Sequence, residues 1–312
     1  MTRGRPFVSA IIPLYNKADS ILETLASAAG QTDADVEIIV VDDGSTDRSM
    51  ELVKAAAIPR VRLIRQANAG VSGARNRGIA AAEGKWIAFL DADDLWSRDH
   101  LASLLNALAS SSAIAAFSNS RLESRNGGPL IGPEVRAQKI DDFFSFALSN
   151  GGYPIGTSAM IALKDELFTV GLFAEGVPTG EDIDMWCRLA CRGPFLYDGS
   201  LSATYNDARS PTRRSEGGKI RRPIFSERFP ELVLAGMVPP ALIESGRRYA
   251  NFLMLEYARQ LLDCGHYREA RAVLLNDCVF NHDSRRFVKR LARTTTLGRI
   301  LFRPARNGAE GL

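Results

Sequence analysis

Apolar residues in the first third of the chain come in short solid runs separated by stretches of helical spacing. Val8 to Ile12 and Val36 to Val41 (VEIIVV) are short, apolar and rich in β-branched residues, as expected of strands covered on both faces. Between them, Asp19 to Ala29 sets Ile21, Leu22, Leu25, Ala26 and Ala29 on one helical face. Thr46 to Ala57 repeats the pattern behind the turn residues Gly44 and Ser45. Val61 to Arg65, a helix around Gly73 to Ala82, and Trp86 to Leu90 continue the alternation. Regular alternation of this kind predicts βαβ units and an α/β fold: a doubly wound, mostly parallel sheet flanked by helices, with ligands at the carboxyl ends of the strands. After a helix at Leu101 to Ala109 the rhythm loosens. Phe117 to Val135, bearing Gly127, Gly128, Pro129, Gly132 and Pro133, reads as a loop or hairpin, before strand and helix resume at Thr157 to Leu163 and Glu181 to Cys191.

From about Pro223 the pattern changes character. Leu242 to Leu262 and Tyr267 to Leu275 are helical in period around Gly265, an αα-hairpin. The polar, basic stretch Asp207 to Arg222 reads as a connecting loop, so the expected division is an α/β domain over 1–222 and a helical cap over 223–312. The cap ends in a basic amphipathic tail. Arg285 to Arg306 holds eight basic residues, no acidic ones, and interleaved apolar side chains. Such a tail could lie on an anionic membrane surface, or pack its stripe on the cap as an ordinary solvated helix.

Composition narrows the class. With 39 basic against 36 acidic residues the formal charge is +3, so no overall field argues for nucleic acid. Cys187, Cys191, Cys264 and Cys278 have neither zinc-site nor disulfide-scaffold spacing, which suits reduced thiols in a cytoplasm. No apolar run approaches the roughly eighteen residues of a membrane span, so membrane contact is expected to be peripheral, on the inner face of the cytoplasmic membrane.

The candidate chemistry follows the strands. Asp42 and Asp43 close the second run, where unpaired burial would cost several kcal/mol, so a ligand or a solvated capping turn must hold them. Asp91, Asp93 and Asp94 close the run Trp86 to Leu90. Carboxylates so crowded repel one another unless a cation neutralises them, and hard oxygen donors suit Mg²⁺ or Mn²⁺; the plain alternative is a solvated acidic turn. Glu181, Asp182 and Asp184 open a helix, as catalytic groups or as acids favoured by the helix dipole. Gly78 to Lys85 fails as a P-loop, no GxGxxG follows the first strand, and His100, His266 and His282 show no ligand or triad spacing.

Five blocks in order carry a resemblance: VSAIIPLYN (Val8 to Asn16), DDGSTD (Asp42 to Asp47), NAGVSGARNRGI (Asn68 to Ile79), FLDADD (Phe89 to Asp94) and TGEDIDMWCRL (Thr179 to Leu189). The sequence resembles the family 2 glycosyltransferases, inverting, nucleotide-sugar-dependent enzymes of GT-A fold, from about Val8 to Tyr205. The resemblance implies a GT-A catalytic domain over 1–222, with a nucleotide-sugar-binding part at 1–115 and an acceptor part at 116–222. Pro13, Tyr15 and Asn16 would line the nucleotide pocket, and Asp42 or Asp43 would read the base, expected to be uracil. Gly73 and Arg75 would lie near the donor's diphosphate and sugar. Asp93 would bind the metal, with Asp91 holding the ribose or supporting the metal through water. Asp182 would be the general base, with Glu181 beside it as a sugar contact or orienter and Asp184 as the fallback base.

The implied partners are a nucleotide-sugar donor and a glycan or lipid-linked acceptor of a growing cell-surface glycan. A binding or scaffold protein of the same fold is the alternative. Relatives often carry a histidine after the strand that here ends at Tyr205; this chain has Asn206, Asp207 and Arg209, and Arg213 and Arg214 could cover the diphosphate instead. The expectation that decides the reading is spatial: the carboxylates near 91 and the one at 182 must face one cleft.

Overall fold

The structure, a computed structural model, describes residues 7–32, 35–123, 130–131, 135–177, 179–206 and 220–295. The chain divides into two compact units, Met1–Gly218 and Lys219–Leu312.

The first unit begins with the predicted alternation: β1 (Phe7–Leu14), α1 (Ile21–Ala29), β2 (Asp35–Asp42), α2 (Ser49–Ala56), β3 (Val61–Arg65), α3 (Gly70–Ala81) and β4 (Trp86–Phe89). It continues through β5 (Leu95–Trp96), α4 (His100–Leu108), β6 (Ala115–Glu123), β7 (Leu130–Ile131), β8 (Gln138–Ile140), α5 (Phe143–Ser149), β9 (Met160–Leu163), α6 (Lys164–Thr169), α7 (Glu181–Ala190) and β10 (Phe195–Asn206). The strands form one sheet in the order β3-β2-β1-β4-β9-β6-β10-β5, with β7 on β6 and β8 on β10. β3, β2, β1 and β4 are mutually parallel, β9 runs against both its neighbours, and β6 and β10 are parallel to each other. The fold is the α/β architecture the periodicity predicts.

Both faces of β1 are covered, which is why its apolar run is continuous rather than alternating. Val8, Ala10 and Ile12 join a core with Ile21 and Leu25 of α1 and Leu101, Leu104 and Leu105 of α4. On the other face α3 lies so close that a Cβ on Gly78 would sit 2.4 Å from the Ile11 Cγ2.

Of the two readings the sequence left open for Phe117 to Val135, loop or hairpin, the pairing supports the second: β6, Ala115 to Glu123, is a nine-residue strand inside the sheet, and β7 pairs with it antiparallel. Its residues AAFSNS are small and polar with little β-branching, so the local signal was weak; burial between β9 and β10 holds it as a strand.

The second unit is helical: α8 (Ile224–Leu234), α9 (Ile243–Asp263), α10 (Tyr267–Asn276) and α11 (Ser284–Arg293). α9 and α10 form the αα-hairpin, turning at Gly265 with φ +84°. In α11 the apolar residues Phe287 and Leu291 pack into a cluster with α9 and α10. Arg290 pairs with Glu256, and Arg293 with Asp263. Over 285–293 the stripe therefore serves the helical core, while the rest of the tail, 296–306, lies outside the described residues. Among the described residues no helix is long and apolar enough to cross a membrane, and all four cysteines are free.

Candidate functional site

The site is assembled at the carboxyl ends of β1, β2 and β4, where the parallel half of the sheet presents its loops. Pro13 pairs with Val41 of β2 just beyond the β4 ladder, which ends at Ile11 and Phe89, so its missing N–H faces no strand there. Asn16 is left-handed (φ 52°), and its Oδ1 accepts from the Thr46 and Asp47 amides at 2.8 and 3.3 Å. That side chain ties the loop after β1 to the loop after β2 and leaves Tyr15 47% exposed beside it.

Asp42 and Asp43 are both buried but differently employed. Asp43 Oδ1 accepts from Gln66 Nε2 and the Ala69 amide, both at 2.8 Å, and Oδ2 from the Gly70 amide at 2.9 Å. It therefore fixes the entry to α3. Asp42 Oδ1 accepts from the Ser45 amide, while Oδ2 has no hydrogen bond and lies 3.4 Å from the Arg65 Nε. Gly73 sits on the first turns of α3, where a Cβ would come within 2.8 Å of the Ala69 Cβ. Its lack of a side chain lets the helix close against the loop that Asp43 holds.

The acidic turn after β4 is tied down from α1 and from the 156–158 segment. Ser20 and Thr24 donate to the Ala92 carbonyl, and Thr24 also to that of Asp94. Ser158 Oγ accepts from the Asp91 amide and donates to Asp94 Oδ2 at 2.5 Å. The Asn206 amide donates to Asp94 Oδ1, so the end of β10 closes this turn through its backbone. Asp93 Oδ2 accepts from Lys17 Nζ at 2.5 Å. Burial raises the Asp93 pKa, Lys17 opposing and Asp91 adding to the rise; burial and the Asp91 charge lift Asp94 well above the carboxylate range. Burial and mutual repulsion thus both disfavour the charged carboxylates here, a cost that a bound cation would relieve. Carboxylate oxygens are the donors that Mg²⁺ and Mn²⁺ prefer, and one or two suffice when phosphate and water complete the shell, so the residues present fit such an ion. Among the described residues no group of three or more candidate ligands is gathered around one point.

Arg75 links this turn to α7. Reaching from α3 at 3% exposure, it donates through Nη2 to Asp91 Oδ1 at 2.8 Å and through Nη1 to Glu181 Oε1 at 2.9 Å. Burial would lower its pKa, but the charges of Asp91 and Glu181 reverse that and raise it. Glu181 is raised by burial and by the neighbouring Asp182, against the pull of Arg75. The Arg75 guanidinium also lies 5.3 Å from the centre of the Phe173 ring. Asn76, next on the helix, grips the Phe173 backbone twice, donating to its carbonyl and accepting from its amide, both at 2.9 Å.

α7 starts after Gly180 (φ +82°), and its first turn carries Glu181, Asp182 and Asp184, which also suits the helix dipole. Asp182 Oδ2 accepts from Thr157 Oγ1 at 3.1 Å and Oδ1 from the Ile183 amide at 2.8 Å. Asp184 is no substitute for it. Two residues along the helix it faces inward at 0% exposure and pairs with Arg188, which also donates to the carbonyls of Val170 and Leu172.

A cavity of about 430 Å³ brings Arg75, Asp91, Asp94, Glu181 and Asp182 together with Thr157 and Ser158. Asp91 and Asp182 therefore line one space. Asp93, Gly73 and the residues at 13–16 and 42–43 are not among its walls; Lys17, beside the loop after β1, joins that loop to Asp93 of the acidic turn. Lys17 and the aromatic lining residue Tyr205 escaped the sequence reading, since neither falls in a run with a chemical signature. Arg209, Arg213 and Arg214 lie outside the described residues.

The sequence pattern of glycosyl transferase family 2 matches residues 9–169 of the 312. An uncharacterized glycosyltransferase of Rickettsia felis is 33% identical over 223 residues, 67% of this chain and 35% of that protein. The succinoglycan biosynthesis protein ExoO of Rhizobium meliloti is 42% identical over 126 residues, 40% of this chain and 36% of its own length. The chain thus spans about a third of the length of these curated relatives. Among solved structures, S. aureus TarS in complex with UDP-GlcNAc superposes with a TM-score of 0.65 at 17% identity, covering 92% of this chain and 80% of that one. The mannosyltransferase PcManGT of Pyrobaculum calidifontis, in complex with GDP-Man and Mn2+, gives 0.59 at 21% identity, covering 96% and 84%. At these identities the likeness establishes the GT-A fold alone. Together with the pattern over residues 9–169, it leaves one conclusion: the chain belongs to glycosyl transferase family 2.

Proposed function

We propose that this protein transfers a sugar from a nucleotide-diphosphate donor to an acceptor hydroxyl with inversion, in the building of a cell-surface polysaccharide. The observation that carries the reading is the shared cavity, lined by both Asp91 of the acidic turn and Asp182 of α7, with one buried arginine pairing Asp91 to Glu181, the neighbour of Asp182. Pro13, Tyr15, Asn16, Asp42 and Asp43 take the nucleotide, a uridine diphosphate by preference, with Asp42 keeping a buried oxygen free of hydrogen bonds for a ring N–H. Asp93, supported by Asp91, holds Mg²⁺ or Mn²⁺, which when bound offsets the charge that builds on the diphosphate. ExoO carries a polysaccharide in its name and TarS was solved with a UDP-sugar, which supports both halves of the assignment.

Asp182 acts as general base. The acceptor oxygen attacks the anomeric carbon from the face opposite the diphosphate and its proton passes to Asp182, while the bond to the diphosphate oxygen breaks and its electron pair leaves with the nucleotide. Thr157 and the Ile183 amide, each on one carboxylate oxygen, fix the plane in which Asp182 can take that proton. Glu181 orients Arg75 and does not itself receive the proton.

Residues 1–115 form the donor part and 116–222 the acceptor part of the catalytic domain, with 223–312 as the accessory helical unit. A peripheral contact with an anionic, cytoplasmic membrane face would draw on the exposed Arg285 and Lys289 rather than on the inward stripe of α11. The test is UDP release from UDP-sugars with Mn²⁺ present. Activity lost in Asp93→Ala and in Asp182→Asn supports the transferase, whereas binding of UDP with no turnover of any donor makes the chain a binding module.

A further inference from the structure

The cavity between Asp91 and Asp182 has a second wall that the transfer step does not use. Besides the charged groups it is lined by Leu122 of β6, Tyr205 of β10, and Tyr153 and Ile155 of the segment between α5 and β9. We infer that this wall binds a pyranose ring of the acceptor, its C–H face against Tyr153 and its hydroxyl rim toward Asp182. The inference rests on the transferase reading and adds the substrate class: the acceptor is a carbohydrate, not a simple alcohol or a lipid phosphate.

Three observations carry it. First, the lining is divided by chemistry. A pyranose presents one apolar C–H face and a rim of hydroxyls, and an aromatic face beside a row of carboxylates and a hydroxyl matches both. Second, Tyr153 is built to be presented. Gly151 and Gly152 both take positive φ (80° and 90°) to end α5, and the Gly152 amide returns to the Ala147 carbonyl at 2.7 Å. Pro154 then restricts Tyr153 to an extended backbone, and the side chain is left 42% exposed. Gly156 lets the same segment pass close to β6, since a Cβ there would lie 3.1 Å from Ser120 Oγ. One residue on, Thr157 holds Asp182, so a single short segment positions both the ring and the base.

Third, two of the lining residues stand on strands away from the nucleotide's end of the sheet. β6, which carries Leu122, lies three places from β1 in the sheet order, ~14 Å at the usual strand spacing of about 4.8 Å, and β10, which carries Tyr205, one place further. A nucleoside diphosphate held at the ends of β1 and β2 would reach Asp91 with its phosphates and leave this wall to the acceptor.

The experiment measures UDP release from UDP-N-acetylglucosamine, UDP-glucose and UDP-galactose with Mn²⁺. Each is tested in water and with hexyl glucoside, hexyl galactoside, hexyl N-acetylglucosaminide, 1-hexanol or farnesyl phosphate. Pyranosides are expected to accelerate release, and hexanol and farnesyl phosphate not to. In Tyr153→Ala the KM for the pyranoside should rise about tenfold, the loss of one aromatic contact, with a smaller change in kcat. Tyr153→Phe should restore it, because the ring and not the hydroxyl makes the contact. A thermal shift with UDP and Mn²⁺ identifies the variants as folded. Equal acceleration by hexanol or farnesyl phosphate, an unchanged KM in Tyr153→Ala, or UDP release that no pyranoside accelerates would each overturn the inference while leaving the transferase reading standing. Absence of UDP release from every donor would overturn that reading, and the inference with it.

Discussion

Arg75 is the residue on which the site turns, and its neighbours show why type and position both matter. It is buried, and the two carboxylates it joins come from turns far apart in sequence, so removing it leaves Asp91 and Glu181 facing each other without a cation. Arg75→Leu is therefore expected to lower stability by about 3–5 kcal/mol, the cost of stranding buried charge, read from urea midpoints. Arg75→Lys cannot span both partners with a fork and should recover only part of that. Asp182 behaves differently. It is held by one hydroxyl and one amide, and Asp182→Asn keeps its shape, so stability should hold while kcat falls by about 10²–10⁴, as for loss of a general base. A change confined to KM would remove Asp182 from that role.

At the scale of elements, α3 joins packing to chemistry. Gly73 lets it close on the loop that Asp43 holds and Gly78 lets it close on β1, while Arg75 and Asn76 reach the acidic turn and the loop before α7. Gly78→Ala sets two effects against each other. Alanine raises helix propensity by about 1 kcal/mol, but its Cβ would meet an Ile11 side chain that is itself fully buried, and overpacking costs about 1–3 kcal/mol. The clash should win, so the variant should unfold at lower urea, and a rise in the midpoint would show that α3 can move away from β1. α11 makes the opposite point about reading elements from sequence. Its basic and apolar pattern suited a membrane surface and a packed helix equally, and only the positions of Phe287, Leu291, Glu256 and Asp263 show that the stripe and two of the arginines are engaged within the helical unit.

For the molecule as a whole, one buried histidine couples stability to pH. His100 opens α4 at 0% exposure, stacked on Trp96 with its Nδ1 2.7 Å from Ser202 Oγ. Burial lowers its pKa to about 3, against a slight opposing effect of Asp99. The unfolded chain takes up a proton near pH 6.5 where the folded one does not, so this contribution is complete above that pH and is lost as pH falls toward 3. Between pH 8 and 5.5 the loss should be about 1–2 kcal/mol, visible as a falling thermal midpoint. The raised acids Asp93, Asp94 and Glu181 act in the opposite sense, gaining stability as they protonate, so the contribution of His100 is the difference between the wild type and His100→Asn. Parallel curves for the two proteins would contradict it.

The sequence by itself determined the alternating elements, the sheet they make, and the places where polar residues interrupt apolar runs. Those features depend on neighbours a few positions away, as periodicity and turn chemistry do. β6 stayed open between loop and hairpin because its residues become a strand only when β9 and β10 enclose them. Tertiary structure alone decided which carboxylates share a space. Asp182 lies some ninety positions from Asp91 in the chain, and Arg75 joins Asp91 to Glu181, the neighbour of Asp182, only after α3, the end of β4 and α7 have packed. It also decided that Asp184 belongs to the interior and that Tyr153 and Thr157 belong to the cavity, since burial and direction are properties of the packed sheet and no local spacing records them.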